Sequence, residues 1–187
     1  MNLRIVYRSS YTKFLSMNTL TLNTLKSVGF FVCLLLVSRL IPHPPNFTPL
    51  IAGIIFLPFI LEDKRFVIII PMIVMLISDF IIGFHSHMFW TYGAFLLISL
   101  GVLGYFQKKV NRLLTLSVLS PTLFYLLTNF GVWTSSSIYS NDIVGLLECY
   151  TLAIPFYANN LISTIIFLMA FTLVHNYMGL KRKRVSL

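Results

Sequence analysis

Charge is scarce in this chain. Only 10% of its 187 residues are Asp, Glu, Lys or Arg, against 57% hydrophobic residues and a mean hydropathy of +0.86. That balance excludes an ordinary soluble domain. Cysteine is nearly absent. Cys33 falls inside the first apolar run and Cys149 in a late loop, at depths that do not suit a mutual disulfide, so both read as small apolar fillers. No GxxxxGKS or GxxxxGKT sequence occurs, and no HExxH, GxSxG or CxxC. The chain therefore has no phosphate-binding loop with which to use ATP, and none of the common zinc, serine-nucleophile or dithiol motifs.

What is present is apolar sequence in long runs. A helix needs about 20 apolar residues to cross a hydrocarbon layer, somewhat fewer where flanks snorkel or the bilayer thins. Six runs qualify, at 25–41, 48–61, 66–84, 88–106, 113–133 and 159–178. Residues 1–24 are polar and read as an N-terminal tail in which Met17 is an alternative start; residues 179–187 read as a basic tail. Basic residues precede the first run, yet no small-residue cleavage site follows, so that run is expected to be retained.

Lysine and arginine set the orientation, because basic loops stay on the cytoplasmic side. They cluster in the N-terminal tail, at Lys64 and Arg65, at Lys108, Lys109 and Arg112, and at Lys181–Arg184; Arg39 is the exception. Six spans with both termini inside satisfy that distribution. The apolar segment 143–157 carries Glu148 and ends near Pro155, and crossing there would place the terminal KRKR outside, so it is expected to lie at the outer face as an interfacial or re-entrant piece. The formal charge of +9 is spread over these segments with no basic, aromatic-interleaved domain, so topology explains it and nucleic acid is not an expected partner.

The few polar residues within the runs share a depth. Arg39 is near the outer end of the first run, Asp79 near that of the third, Thr128 and Asn129 near that of the fifth, and Asn159 and Asn160 open the sixth from the same side. Trp133, Tyr150 and Tyr157 lie beside them, and the inner halves hold little that is comparable. Polar groups confined to one end suit an outward-facing pocket better than a conduit, which needs them throughout. Each also has a plainer reading. Arg39 can snorkel to headgroups rather than pair with Asp79 or a ligand anion, whereas the short carboxylate stem of Asp79 cannot. The asparagines suit helix caps or interhelical hydrogen bonds, and the aromatics an interfacial belt.

Between the first two runs, SRLIPHPPNFTPL places Pro42, Pro44 and Pro45 where a helix cannot continue, and Pro49 where one can start. This stiff connection beside a short run is expected to cap the pocket. His85-Ser86-His87, with His43, Asp79 and Glu148 as candidate neighbours, is the one metal-like pattern. Histidines in a loop are more often solvated than ligating, and no metal or cofactor is expected.

RLIPHPPNFTP, SDFIIGFH, TNFGVW and GLLECYTLAIPFYANNL together resemble a family of small bacterial six-helix membrane proteins. That family is in turn similar to the substrate-binding S components of energy-coupling-factor vitamin transporters. The resemblance covers about residues 25–178. It implies a lid at 42–48, a pocket drawing on Arg39, Asp79, Asn129 and Trp133, and docking of a transmembrane coupling subunit on small residues of the first helix. The corresponding positions here hold Gly29 and Cys33 instead of alanines.

The expectation is thus an all-α, six-span protein of the cytoplasmic membrane, not an enzyme, that captures a small solute for an uptake transporter. Its substrate-binding residues would be Arg39, His43, Asn46, Asp79, Asn129, Trp133, Asn159 and Asn160. Its partners would be a coupling subunit, ATPases and lipid. Two rival classes are a membrane-embedded enzyme using Asp79 with His85 or His87, and an assembly subunit whose polar groups only join helices.

Overall fold

In a computed structural model, residues 26, 28–61, 63–105, 109–135 and 137–185 are described. The 1–24 tail lies outside them. Seven helices and no strands occur among the described residues: α1 (Val28–Leu40), α2 (Leu50–Ile60), α3 (Phe66–Ile82), α4 (Met88–Tyr105), α5 (Val110–Ser135), α6 (Ile143–Leu152) and α7 (Ile154–Val185). The chain divides into two compact units, 1–34 and 35–187, with the boundary inside α1. In the first unit Gly29, Phe30 and Cys33 are exposed and Phe31 is buried. All that follows concerns the second.

Three helices, Met88–Tyr105, Asn111–Ser135 and Ile154–Met178, are long and apolar enough to cross a membrane. Large apolar side chains point outward along them and along α3, with Phe80 77% and Phe89 80% exposed. Apolar surface on this scale belongs in lipid, and the protein is a membrane protein.

The shorter apolar helices are built differently. α2 has 11 residues, about 16 Å of helix at 1.5 Å per residue, roughly half of what a hydrocarbon core requires. It is apolar on every side, Leu50–Leu57 are all buried, and it packs against α3, α4, α5 and α7. The run at 48–61 is thus an internal helix sheathed by longer ones. Gly53 lets Leu35 of α1 approach closely, since a Cβ there would stand 2.9 Å from Leu35 Cδ2.

The connections obey local chemistry. Pro49 precedes α2, and Gly83, at φ 114°, ends α3 with its N–H on the Asp79 carbonyl. Asp142 caps α6, its side chain accepting from the Gly145 N–H. The 143–157 segment forms α6 and then the first turn of α7. Pro155 has no N–H to offer the Thr151 carbonyl, so the chain breaks at Ala153 and restarts. α7 begins ahead of the expected 159 and continues through Val185, so positions 179–185 extend the helix.

Candidate functional site

Helices joined by short connections alternate in direction, which brings the end of α1, the start of α2, the end of α3, the start of α4, the end of α5, α6 and the start of α7 to one side. A cavity of about 610 Å³ opens there. Its lining includes Arg39, His43 and Asn46 from the first connection, Asn129 from α5 and Asn160 from α7. Those five expected residues are brought together.

Asp79 stands behind the wall, 2% exposed. Its Oδ1 accepts from Arg39 Nη2 at 2.6 Å and its Oδ2 from the Tyr92 hydroxyl at 2.9 Å. Arg39 Nη1 also contacts the Met75 sulfur. A buried carboxylate and a guanidinium thus neutralise one another at the cavity edge, with Tyr92 occupying the second oxygen. Tyr92 was not singled out in the sequence. It could have been: Asp79 lies three residues before the end of α3 and Tyr92 four after the start of α4, equal depths across a short connection.

Trp133 and Asn159 do not line the cavity. The Trp133 indole N–H donates to the Ser140 carbonyl at 2.9 Å, holding the α5–α6 connection. Asn159 Nδ2 donates to the Pro45 carbonyl at 3.0 Å, tying the 42–48 loop to α7. Adjacent residues on a helix point about 100° apart, so Asn160 faces the cavity while Asn159 faces the loop. The loop itself is a turn in which Phe47 N–H donates to the Pro44 carbonyl at 2.9 Å, with Pro45 and then Asn46 at the corners. Asn46 has φ 61°, the left-handed corner of a type II turn, which Asn tolerates better than most residues. Phe47 is seated edge-on to Phe167 at 6.0 Å.

The remaining wall is aromatic, and most of its polar groups are committed. Tyr125 donates to the Tyr150 carbonyl at 2.7 Å, and its ring lies 4.9 Å from that of Tyr157. Thr122 donates to Val118, so the Tyr157 hydroxyl is the donor in their 3.0 Å contact. Thr91 and Thr128 bond carbonyls of their own helices. Asn129 Nδ2 donates to the Tyr125 carbonyl, and the Cys149 thiol contacts the Asn129 carbonyl at 3.4 Å. His85 and His87 reach the rim; the Ser135 proton goes to Gly131, so His87 Nδ1 donates to Ser135 Oγ at 2.8 Å. Among the described residues no three His, Cys, Asp or Glu side chains gather as a metal site.

Residues 19–186, most of the chain, match the model of DUF6580, a family of unknown function. The chain belongs to that family. No curated protein and no solved structure matches the chain. In this DUF6580 member, Lys64, Arg65, Lys109 and Arg112 sit at the ends of the helices opposite the cavity, where Arg112 lies over the Tyr105 ring at 4.0 Å. Asp63 and Arg65 pair there at 2.6 Å in the exposed α2–α3 connection, and this guanidinium holds the Asp63 carboxyl below its ordinary range.

Proposed function

We propose that the protein is the substrate-capture subunit of a small-solute uptake system, similar in role to the S components named above. The chain would cross the cytoplasmic membrane six times with both ends inside, at α1, at α3–α5 and α7, and at α2, which is too short to span lipid by itself and would cross only inside the sheath of its longer neighbours; α6 would lie at the outer face. The observation that carries this reading is the cavity. Its lining includes His43 and Asn46 of the 42–48 loop, which Asn159 ties to α7, and its size suits a small organic molecule. The polar lining residues Arg39, His43, Asn46, Asn129 and Asn160 come from the end opposite Lys64 and Lys109, with Met75 and Phe124 reaching the middle of their helices, which supports an outward-facing pocket under the positive-inside rule.

Capture alone does not accumulate a solute. The energy would come from other subunits, a transmembrane coupler and ATPases, docking where exposed Gly29 and Cys33 leave the α1 surface small. Native mass spectrometry of protein extracted with its own lipid tests the reading. A retained small molecule at near one per chain is expected, displaced when Ala153→Phe fills the cavity. Concentrative uptake by the protein reconstituted alone would overturn it in favour of a self-contained transporter, and turnover of the retained molecule in favour of an enzyme.

A further inference from the structure

In the sequence Arg39 hints at an anionic group on the ligand, and the aromatics at a ring. The geometry favours the ring and not the anion. Arg39 is already neutralised by Asp79 at 2.6 Å, and Tyr92 occupies the other carboxylate oxygen, so the cavity offers an anion no unspent positive charge from that wall. An anionic ligand would have to compete with Asp79 for the guanidinium or give up its hydration beside groups that carry no fixed charge, His43, His85 and His87 among them, and both are costly.

One largely buried amide in the cavity wall is uncommitted among the described residues. Asn160 lines the cavity and is 5% exposed. Its backbone carbonyl accepts from Ser163 and Thr164, but among the described residues no hydrogen bond reaches its side-chain amide. Nor is that amide sealed away: the buried side-chain atoms lacking a partner are Arg39 Nε and Ser99 Oγ, so the surface Asn160 retains is open to the cavity. A primary amide offers one acceptor and two donors along one edge, and its complement is another amide edge. The Asn129 side-chain oxygen, whose nitrogen is spent on Tyr125, adds an acceptor nearby in the wall. Around them Phe95, Phe124, Tyr125 and Tyr157 supply aromatic faces and edges.

Resting on the capture reading, we infer that the ligand is an uncharged, flat heteroaromatic ring system carrying a lactam edge, an N–H beside a C=O, read by the Asn160 amide. The aromatic wall stacks on the ring, the lactam satisfies Asn160, and the Arg39–Asp79 pair stays intact on binding.

Three bicyclic probes of similar size separate the terms in equilibrium dialysis against the protein in nanodiscs: quinazolin-4-one, its 3-methyl derivative without the N–H, and 2-naphthoate. Quinazolin-4-one should bind, and methylation should weaken it about tenfold, the value of one well-made hydrogen bond in a dry site. Asn160→Leu should weaken quinazolin-4-one by at least that factor and the methyl derivative by less, since the derivative has only its C=O contact left to lose. The wild-type comparison needs no substitution, so a variant that fails to fold does not decide the matter. Tighter binding of 2-naphthoate than of quinazolin-4-one, indifference to methylation, or no binding of any probe would overturn the assignment. A retained native compound bearing a carboxylate would overturn this ligand class and leave the capture reading standing. No retained compound together with three silent probes would remove both.

Discussion

Arg39 and Asp79 lie 40 positions apart in the chain, and 2.6 Å separates Nη2 from Oδ1. With side-chain exposures of 18% and 3%, the pair is largely withdrawn from solvent, and Tyr92 and Met75 complete its surroundings. In such a pair the loss of one member leaves the other charged and unmatched.

Arg39→Met and Asp79→Leu should each therefore destabilise the fold by about 3–5 kcal/mol, the usual cost of orphaning a buried charge, while Arg39→Met/Asp79→Leu should recover much of that loss. Denaturant unfolding of the two single variants and the double variant in mixed micelles measures the coupling. Additive losses would mean that the two side chains do not depend on one another.

The 42–48 loop is held by two features that can be separated. Asn159→Leu removes the bond to the Pro45 carbonyl and should speed amide exchange at Phe47 with little change in global unfolding. Asn46→Gly should be tolerated, because φ 61° suits glycine, whereas Asn46→Val should cost about 1–2 kcal/mol. Exchange read by mass spectrometry on a peptide covering the loop distinguishes them.

Asp142 makes the start of α6 sensitive to acid. The Gly145 N–H and the Ser140 hydroxyl both donate to its carboxylate and hold its pKa below the ordinary 3.8. A lowered folded-state pKa means that the stabilisation is fully present above the unfolded value and is lost as pH falls through the folded one. Amide protection of α6 should be flat from pH 7 to 5 and fall below pH 4. Asn in place of Asp142 still caps but does not titrate, so Asp142→Asn should remove the acid-dependent loss and keep most of the protection at neutral pH.

Topology reporters fused after residues 64, 109 and 187 should all report cytoplasm, and insertions at 42–47 or 137–142 should report the outside. The expectation follows from basic residues at one end of the helices and the cavity at the other. A cytoplasmic signal at 137–142 would remove α5 from the set of spans.

The pairing of Arg39 with Asp79 was legible because charged residues are rare in apolar runs, and two at equal depth have few other partners. Tyr92 was hidden among many aromatics, although counting outward from the 83–87 connection on both sides places it opposite Asp79. Depth alone groups Trp133 and Asn159 with the cavity. Depth fixes the height of a residue and not its direction, and one helical step separates Asn160, on the cavity wall, from Asn159, on the loop.

Sequence by itself determined that this chain is helical and belongs in a membrane, that its polar groups gather at one end and its lysines and arginines at the other, and that prolines break the chain at 42–49 and 155. Those properties follow from composition and from the missing N–H of proline, which act locally. Only the tertiary structure decided that α2 is internal. A helix apolar on every side carries no periodicity to distinguish a lipid-facing face from a protein-facing one, so its 11 residues look like a short lipid-facing segment until α3, α4, α5 and α7 are seen around it. The structure also decided that the Arg39 charge is matched by Asp79 and that, among the described residues, the Asn160 side-chain amide has no hydrogen-bond partner, because the commitment of a hydrogen-bonding group depends on neighbours brought from elsewhere in the chain.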